Sequence, residues 1–235
     1  MRSLLIAPGD DEARLAAALA SEAGAIVIDL AVAAPAKPAA RVHAAHLLDE
    51  RRTQRPVLMV RVSPLGDEET DLDLDAIMPG APAAILLPRS IGAQSVQQLS
   101  AKLAVREALL GLADGATGII AIVATAEGVL GLQSYRGSSA RLVGLAWDAE
   151  ALRADLAAES CRDGAGGFAG PFRLARDTLR LAAAAAGIAA IDTATAGDPD
   201  TLRAEASAAR RDGFSGKLAI DADQARIINE SFGGA

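Results

Sequence analysis

Two arginines stand where short apolar runs end: Arg61 in Val57–Val62, and Arg89 just past Ala84–Leu87. Like charges repel, so guanidinium groups on neighbouring strand ends point to an anion between them, best a carboxylate gripped by two N–H groups at once. Other polar side chains recur at the same kind of position: Asp29, Thr125, Asp148 with Glu150, Asp192 and Asp221. Each also has a plainer use, to cap the helix that follows or close a loop.

The remaining reactive types say less. His43 and His46 lie three apart and share a helix face, but two nitrogens without a nearby acid make a poor metal site, and a solvated surface is the simpler reading. Cys161 follows no histidine, although Arg162 beside it would favour a thiolate. Asp67, Glu69 and Asp71 fall at the first, third and fifth places of a calcium loop. Leu72 then stands where that loop needs Gly, and Met78 where it needs its closing Glu, so the run reads as a solvated loop with Thr70 or Asp71 capping the next helix. The glycines of Gly164-Ala165-Gly166-Gly167 do not join a strand directly to a helix, so they form no dinucleotide fingerprint. A mobile flap is expected there, with Phe168 and Phe172 as apolar anchors. Trp147, the only tryptophan, either fills space in the site or packs beneath this loop.

The composition bounds the function. The chain has 235 residues with 23 Lys and Arg against 30 Asp and Glu, a net charge of −7, which disfavours nucleic acid as a partner. At 51% apolar and 23% charged it has the balance of a soluble globular protein. Two histidines cannot supply a three-histidine zinc site, and one cysteine cannot form an internal disulfide, which suits a reducing cytoplasm. No apolar run reaches the roughly 20 residues that span a bilayer. The opening apolar stretch is too short for a signal peptide. A cytoplasmic location with no membrane or nucleic-acid partner is the expectation.

What positions these residues is an alternation of short strands and longer helical patterns. Strands are predicted at Leu4–Ala7, Ala25–Asp29, Val57–Val62, Ala84–Leu87, Gly118–Ala124, Leu142–Ala146, Ile188–Ile191 and Lys217–Ile220. Helices are predicted at Asp11–Glu22, Ala36–Arg51, Asp71–Met78, Ser95–Leu110, Glu127–Gln133, Ala149–Ala158, Pro171–Ala186, Asp200–Arg211 and Asp221–Glu230. Eight such units, at a length close to the typical ~250 residues, predict an α/β fold, a closed (β/α)8 TIM barrel over residues 1–235, with an open doubly wound sheet as the competitor. No linker divides the chain, and in a barrel the reactive groups gather where strands end.

In order along the chain, Arg2-Ser3-Leu4-Leu5-Ile6-Ala7-Pro8-Gly9, Ala25-Ile26-Val27-Ile28-Asp29-Leu30, Pro35 through Lys37 to Arg41, Val60-Arg61-Val62-Ser63-Pro64-Leu65, Leu86-Leu87-Pro88-Arg89, Ala190-Ile191-Asp192 and Gly213–Ile220 resemble one family. It is the citrate lyase beta-subunit-like group of the HpcH/HpaI aldolase superfamily. The resemblance implies a TIM barrel, commonly a homo-oligomer, that makes or breaks a carbon–carbon bond in an acyl-CoA or a 2-oxo or hydroxy dicarboxylate. It also implies magnesium, held by a Glu after the fifth strand and an Asp after the sixth. On this chain Arg61 becomes the candidate catalytic residue, and Arg61, Arg89 and Asp29 the candidate substrate-binding set.

The departures from that pattern carry information. The metal-binding Glu position is Ala124 and the metal-binding Asp position is Ala151. The acidic pair after the second strand has become Ala31-Val32, and the family's "IHP" has become Ile220-Asp221-Ala222. A methyl group cannot ligate magnesium, which needs a near-octahedral shell of oxygens. Glu127, Glu150 and Asp148 are the candidates for relocated ligands, and the alternative is a non-catalytic barrel that binds an anion through Arg61 and Arg89. Removing carboxylates should make such a pocket more positive. The chain ends at Ser231-Phe232-Gly233-Gly234-Ala235, where relatives often continue into a segment covering a neighbour's pocket, so that lid is expected to be missing or supplied elsewhere.

Overall fold

A computed structural model describes residues 2–51, 55–66 and 68–233; Asp67, the first place of the calcium-loop pattern, lies outside them. Eight strands pair in chain order, all parallel, and the eighth closes on the first. They are β1 (Ser3–Pro8), β2 (Ala25–Asp29), β3 (Val57–Arg61), β4 (Ala84–Leu87), β5 (Gly118–Val123), β6 (Leu142–Trp147), β7 (Ala189–Asp192) and β8 (Gly216–Ala219). Every predicted strand is present within about one residue, because each is an unbroken Val-, Ile-, Leu- or Ala-rich run covered on both faces.

The helices that wrap this barrel are α1 (Glu12–Leu19), α2 (Lys37–Glu50), α3 (Glu68–Ile77), α4 (Ala93–Leu110), α5 (Ala126–Leu130), α6 (Ala149–Asp155), α7 (Gly170–Ala186), α8 (Pro199–Arg211) and α9 (Ala222–Gly233). The sequence explains several of their ends. Asp11, Thr125, Asp148 and Asp198 cap α1, α5, α6 and α8, each accepting from a backbone N–H in the first turn. Gly111 and Gly187 close α4 and α7 with left-handed backbone, which costs glycine little. α3 starts earlier than predicted, at Glu68. Thr70 and Asp71 therefore lie inside its first turns, and the Thr70 hydroxyl donates to the Ser63 and Pro64 carbonyls instead of capping. No helix among the described residues is long and apolar enough to cross a membrane.

Alternation along the strands sorts their side chains into two cores. Inward-facing Leu4, Val27, Met59, Leu86, Ile120, Ile122, Ala146, Ile191 and Leu218 plug the barrel, so it is a packed interior and not a pore. Outward-facing residues meet the helices, and burying each Leu, Ile or Val there contributes roughly 1.5–3 kcal/mol. The same parity, carried one step past the plug, names the residues at the mouth: Pro8, Asp29, Arg61, Ala124, Asp148, Thr193 and Ile220. The positions that matter most for function are thereby fixed by strand register alone.

Candidate functional site

A cavity of 610 Å³ opens at the C-terminal ends of the strands, floored by Ile6, Ile122 and Leu218 and walled by Arg61, Asp148, Thr193 and the segment Glu159–Arg162. This is the face where barrel chemistry is found, and the size is that of a small-molecule site.

Arg61 enters the cavity at the end of β3, and Asp29 at the end of β2 holds it. The register pairs the two directly. Arg61 Nε donates to Asp29 Oδ1 at 2.8 Å, and Nη2 donates to Oδ2. Asp29 Oδ1 also accepts the Ala31 N–H at 2.9 Å. Burial works against the charge on Arg61, but the bonds to Asp29 and the charges of Asp29 and Asp148 outweigh it and raise its pKa. Five donors less two leaves three N–H groups on the edge away from Asp29. Asp29, expected to touch substrate, has both carboxylate oxygens engaged by Arg61 and the Ala31 N–H.

Arg89 does not join this cavity. It follows β4 one residue past the inward-facing parity and takes left-handed backbone, φ 51°. It lines a separate hollow of 300 Å³ with Pro64, Leu87, Ser90 and Gln98, and its exposed guanidinium lies 3.7 Å from Asp155. The expected anion between Arg61 and Arg89 therefore has no shared cavity to occupy.

The carboxylates near the missing ligand positions are accounted for as follows. Ala124 is buried at the inward-facing parity after β5, so an acidic side chain there would reach the mouth; the methyl group does not. Ala151 lies in the first turn of α6 and gives its N–H to Asp148 Oδ1 at 3.0 Å. Glu150 lines the cavity but is bound by Arg153 Nε at 2.8 Å and by the Cys161 thiol at 3.3 Å. Its carboxyl is held below the usual range mainly by Arg153, while burial and Glu150 push the Cys161 thiol upward, away from reactivity. Glu127 is exposed on α5 and does not line the cavity. Among the described residues no three His, Cys, Asp or Glu side chains converge as a metal site: of the lining acids Asp148 caps α6, Glu150 is bound by Arg153 and Cys161, and Glu159 is exposed, a poor donor set for magnesium. The residues present do not fit the ion.

The wall beyond Glu159–Arg162 rests on a closed ring of contacts. Trp147 Nε1 donates to Asp192 Oδ1 at 2.7 Å, and Asp192 Oδ2 lies 3.6 Å from Lys217 Nζ. Lys217 Nζ lies 3.6 Å from Glu205 Oε2, and Glu205 Oε1 lies 2.5 Å from Arg162 Nη2. Arg162 stacks on Phe168, with 3.9 Å from Cζ to the ring centroid, and Phe168 meets Trp147 edge-on at 5.0 Å. Burial raises the Asp192 carboxyl, but Lys217 and Arg176 outweigh it and leave its pKa below the ordinary value. Trp147 therefore packs beneath the loop and does not enter the mouth. Phe172 is buried core, not a surface anchor, and Asp163 ties the glycine loop by accepting from Ala165 and Gly167.

Sequence reasoning missed Arg14, Arg153, Thr193 and Thr195 as cavity residues, and weighed Arg162 only as the neighbour of Cys161. Arg14 reaches from α1 to the neighbouring end of β8 and donates to the Ile220 carbonyl at 3.2 Å, a contact spanning most of the chain. Helical spacing alone gives no sign of it. His43, expected on a solvated face, is half-buried and links α2 to the Gly9 carbonyl and Glu12, each at 2.9 Å.

Residues 2–222 match the family described as HpcH/HpaI aldolase/citrate lyase. The chain belongs to that family. It is 29% identical to citrate lyase subunit beta of Haemophilus influenzae over 98% of this chain and 79% of that protein. It is 30% identical to the citrate lyase subunit beta-like protein of Mycobacterium tuberculosis over 97% of this chain and 77% of that one. The solved structure of CitE from Mycobacterium tuberculosis, in complex with magnesium, acetoacetate and coenzyme A, superposes with a TM-score of 0.81 at 28% identity, covering 100% of this chain and 81% of that one. HpcH/HpaI membership and the barrel agree.

Proposed function

We propose that this HpcH/HpaI barrel binds a small carboxylate, free or as part of an acyl-CoA, at its mouth, and that it has lost magnesium-dependent carbon–carbon cleavage. The observation that carries the reading is the pair of methyl side chains, Ala124 and Ala151, where the family implies metal ligands. Cleavage beside a carbonyl leaves an enolate, and without a cation the developing charge loses several kcal/mol of stabilisation. Binding asks less. The free edge of Arg61, held in place by Asp29, offers a carboxylate two parallel N–H groups.

The test is calorimetric titration with magnesium, together with citryl-CoA, malyl-CoA and citramalyl-CoA cleavage with and without a chelator. The expected result is no magnesium heat, no turnover, and oxaloacetate binding in chelator that Arg61→Ala removes. Chelator-sensitive turnover would overturn the reading and restore Asp148 and Glu150 as relocated ligands. Turnover that ignores chelator but vanishes in Arg61→Ala would make the protein a metal-independent lyase.

A further inference from the structure

The charges at the mouth are matched unevenly. Arg61 is paired with Asp29, Arg153 with Glu150 and Arg162 with Glu205. The side chain of Arg14, the fourth arginine of the lining, makes no ion pair among the described residues and donates only to the Ile220 carbonyl. Among the acids of the lining, Glu159 is exposed and makes no ion pair among the described residues, and Asp148 spends Oδ1 on capping α6 while its Oδ2 takes no hydrogen bond among them. Asp148 stands at the inward-facing parity after β6 and lines the same cavity as Arg61. The cavity therefore holds Arg14 without an ion pair, an Arg61 edge with donors to spare, and acceptor oxygens on Asp148 and Glu159 that take no hydrogen bond among the described residues.

We infer that the mouth takes a small α-amino acid, its carboxylate between Arg61 and Arg14 and its ammonium on Asp148 Oδ2. This rests on the reading of the mouth as a carboxylate site and names the ligand class. An oxo acid would leave Asp148 facing a carbonyl oxygen, which has no proton to donate to it. An ammonium on the neighbouring carbon brings its own positive charge and three donors to that carboxylate. Selectivity arises from this difference: the same carboxylate is gripped in both ligands, and only one of them satisfies the acid.

Calorimetry in chelator with alanine against pyruvate, and aspartate against oxaloacetate, tests it directly. Each amino acid should bind at least tenfold more tightly than its oxo partner. Asp148→Asn should remove that preference while keeping the fold, because Asn caps a helix as well as Asp does; an unchanged melting temperature verifies this. Arg61→Ala should weaken both members of each pair. Equal affinities, a preference for the oxo acids, or a preference that survives Asp148→Asn would overturn the inference and leave the carboxylate site standing. Failure of all four ligands to bind would overturn both readings together.

Discussion

Asp29 and Arg61 sit opposite each other in the β2–β3 register, and the carboxylate of one fixes the guanidinium plane of the other while leaving three N–H groups turned away. Asp29 is predicted to act through Arg61. Asp29→Ala frees the arginine to many rotamers, and carboxylate affinity should fall about tenfold or more, the scale of one charge-assisted bond. Calorimetry on the variant, with Asp29→Glu as a partial rescue, checks it. Unchanged affinity would show that the pairing is structural only.

Ala124 lies at an inward-facing position of the barrel, so if the proposed loss of the metal site rests on its methyl group, a carboxylate placed there should reverse it. Ala124→Glu with Ala151→Asp returns two carboxylates to the mouth, and magnesium binding should become measurable by titration where the parent gives none. Failure of a folded double variant to bind the ion would show that the missing side chains are not what separates this mouth from a magnesium site.

The indole of Trp147 supplies one of the donors to a carboxylate that is 1% exposed. Trp147→Phe removes that donor and keeps most of the ring. Unfolding free energy should drop by about 1–3 kcal/mol, the cost of an under-satisfied buried group. Denaturant titration reads it.

Glu107 and Arg141 form a second buried pair, with the Thr117 and Gly115 N–H groups also on the carboxylate. Burial pushes the Glu107 carboxyl up, but the Arg141 and backbone bonds outweigh it and hold its pKa below the ordinary 4.5. A depressed folded pKa contributes stability that is present above the unfolded value and lost as pH falls through the folded one. Melting temperature should therefore decline below about pH 4.5, and Glu107→Gln should flatten that decline while costing about 1–3 kcal/mol at neutral pH, since Arg141 loses its charged buried partner but keeps the exposed Asp114.

The barrel was legible because each strand is a short aliphatic run and each crossover a longer amphipathic pattern, two signals that local spacing carries. The mouth was legible only in part. Strand-end position found Arg61, Asp29 and Asp148, yet it placed Arg89 with them, because spacing does not reveal the left-handed step after Pro88 that carries Arg89 to another hollow. It also made the pocket more positive than it is, since the carboxylates of Asp29, Glu150 and Glu205 each engage an arginine and no run of residues announces such pairings. Arg14 lay beyond reach for the same reason: its partner, Ile220, is at the other end of the chain.

The ring that joins Trp147, Asp192, Lys217, Glu205, Arg162 and Phe168 has a consequence for how this protein can change. Five of its six contacts connect a charged group to something that loses if the group leaves, so one flank of the mouth is frozen against stepwise substitution. The adjoining stretch, where Arg14 spans from α1 to the main-chain oxygen of Ile220 just after β8, has no such interlock among the described residues. Drift in ligand preference should accumulate there, on the first helix, while the tryptophan side of the barrel stays as it is.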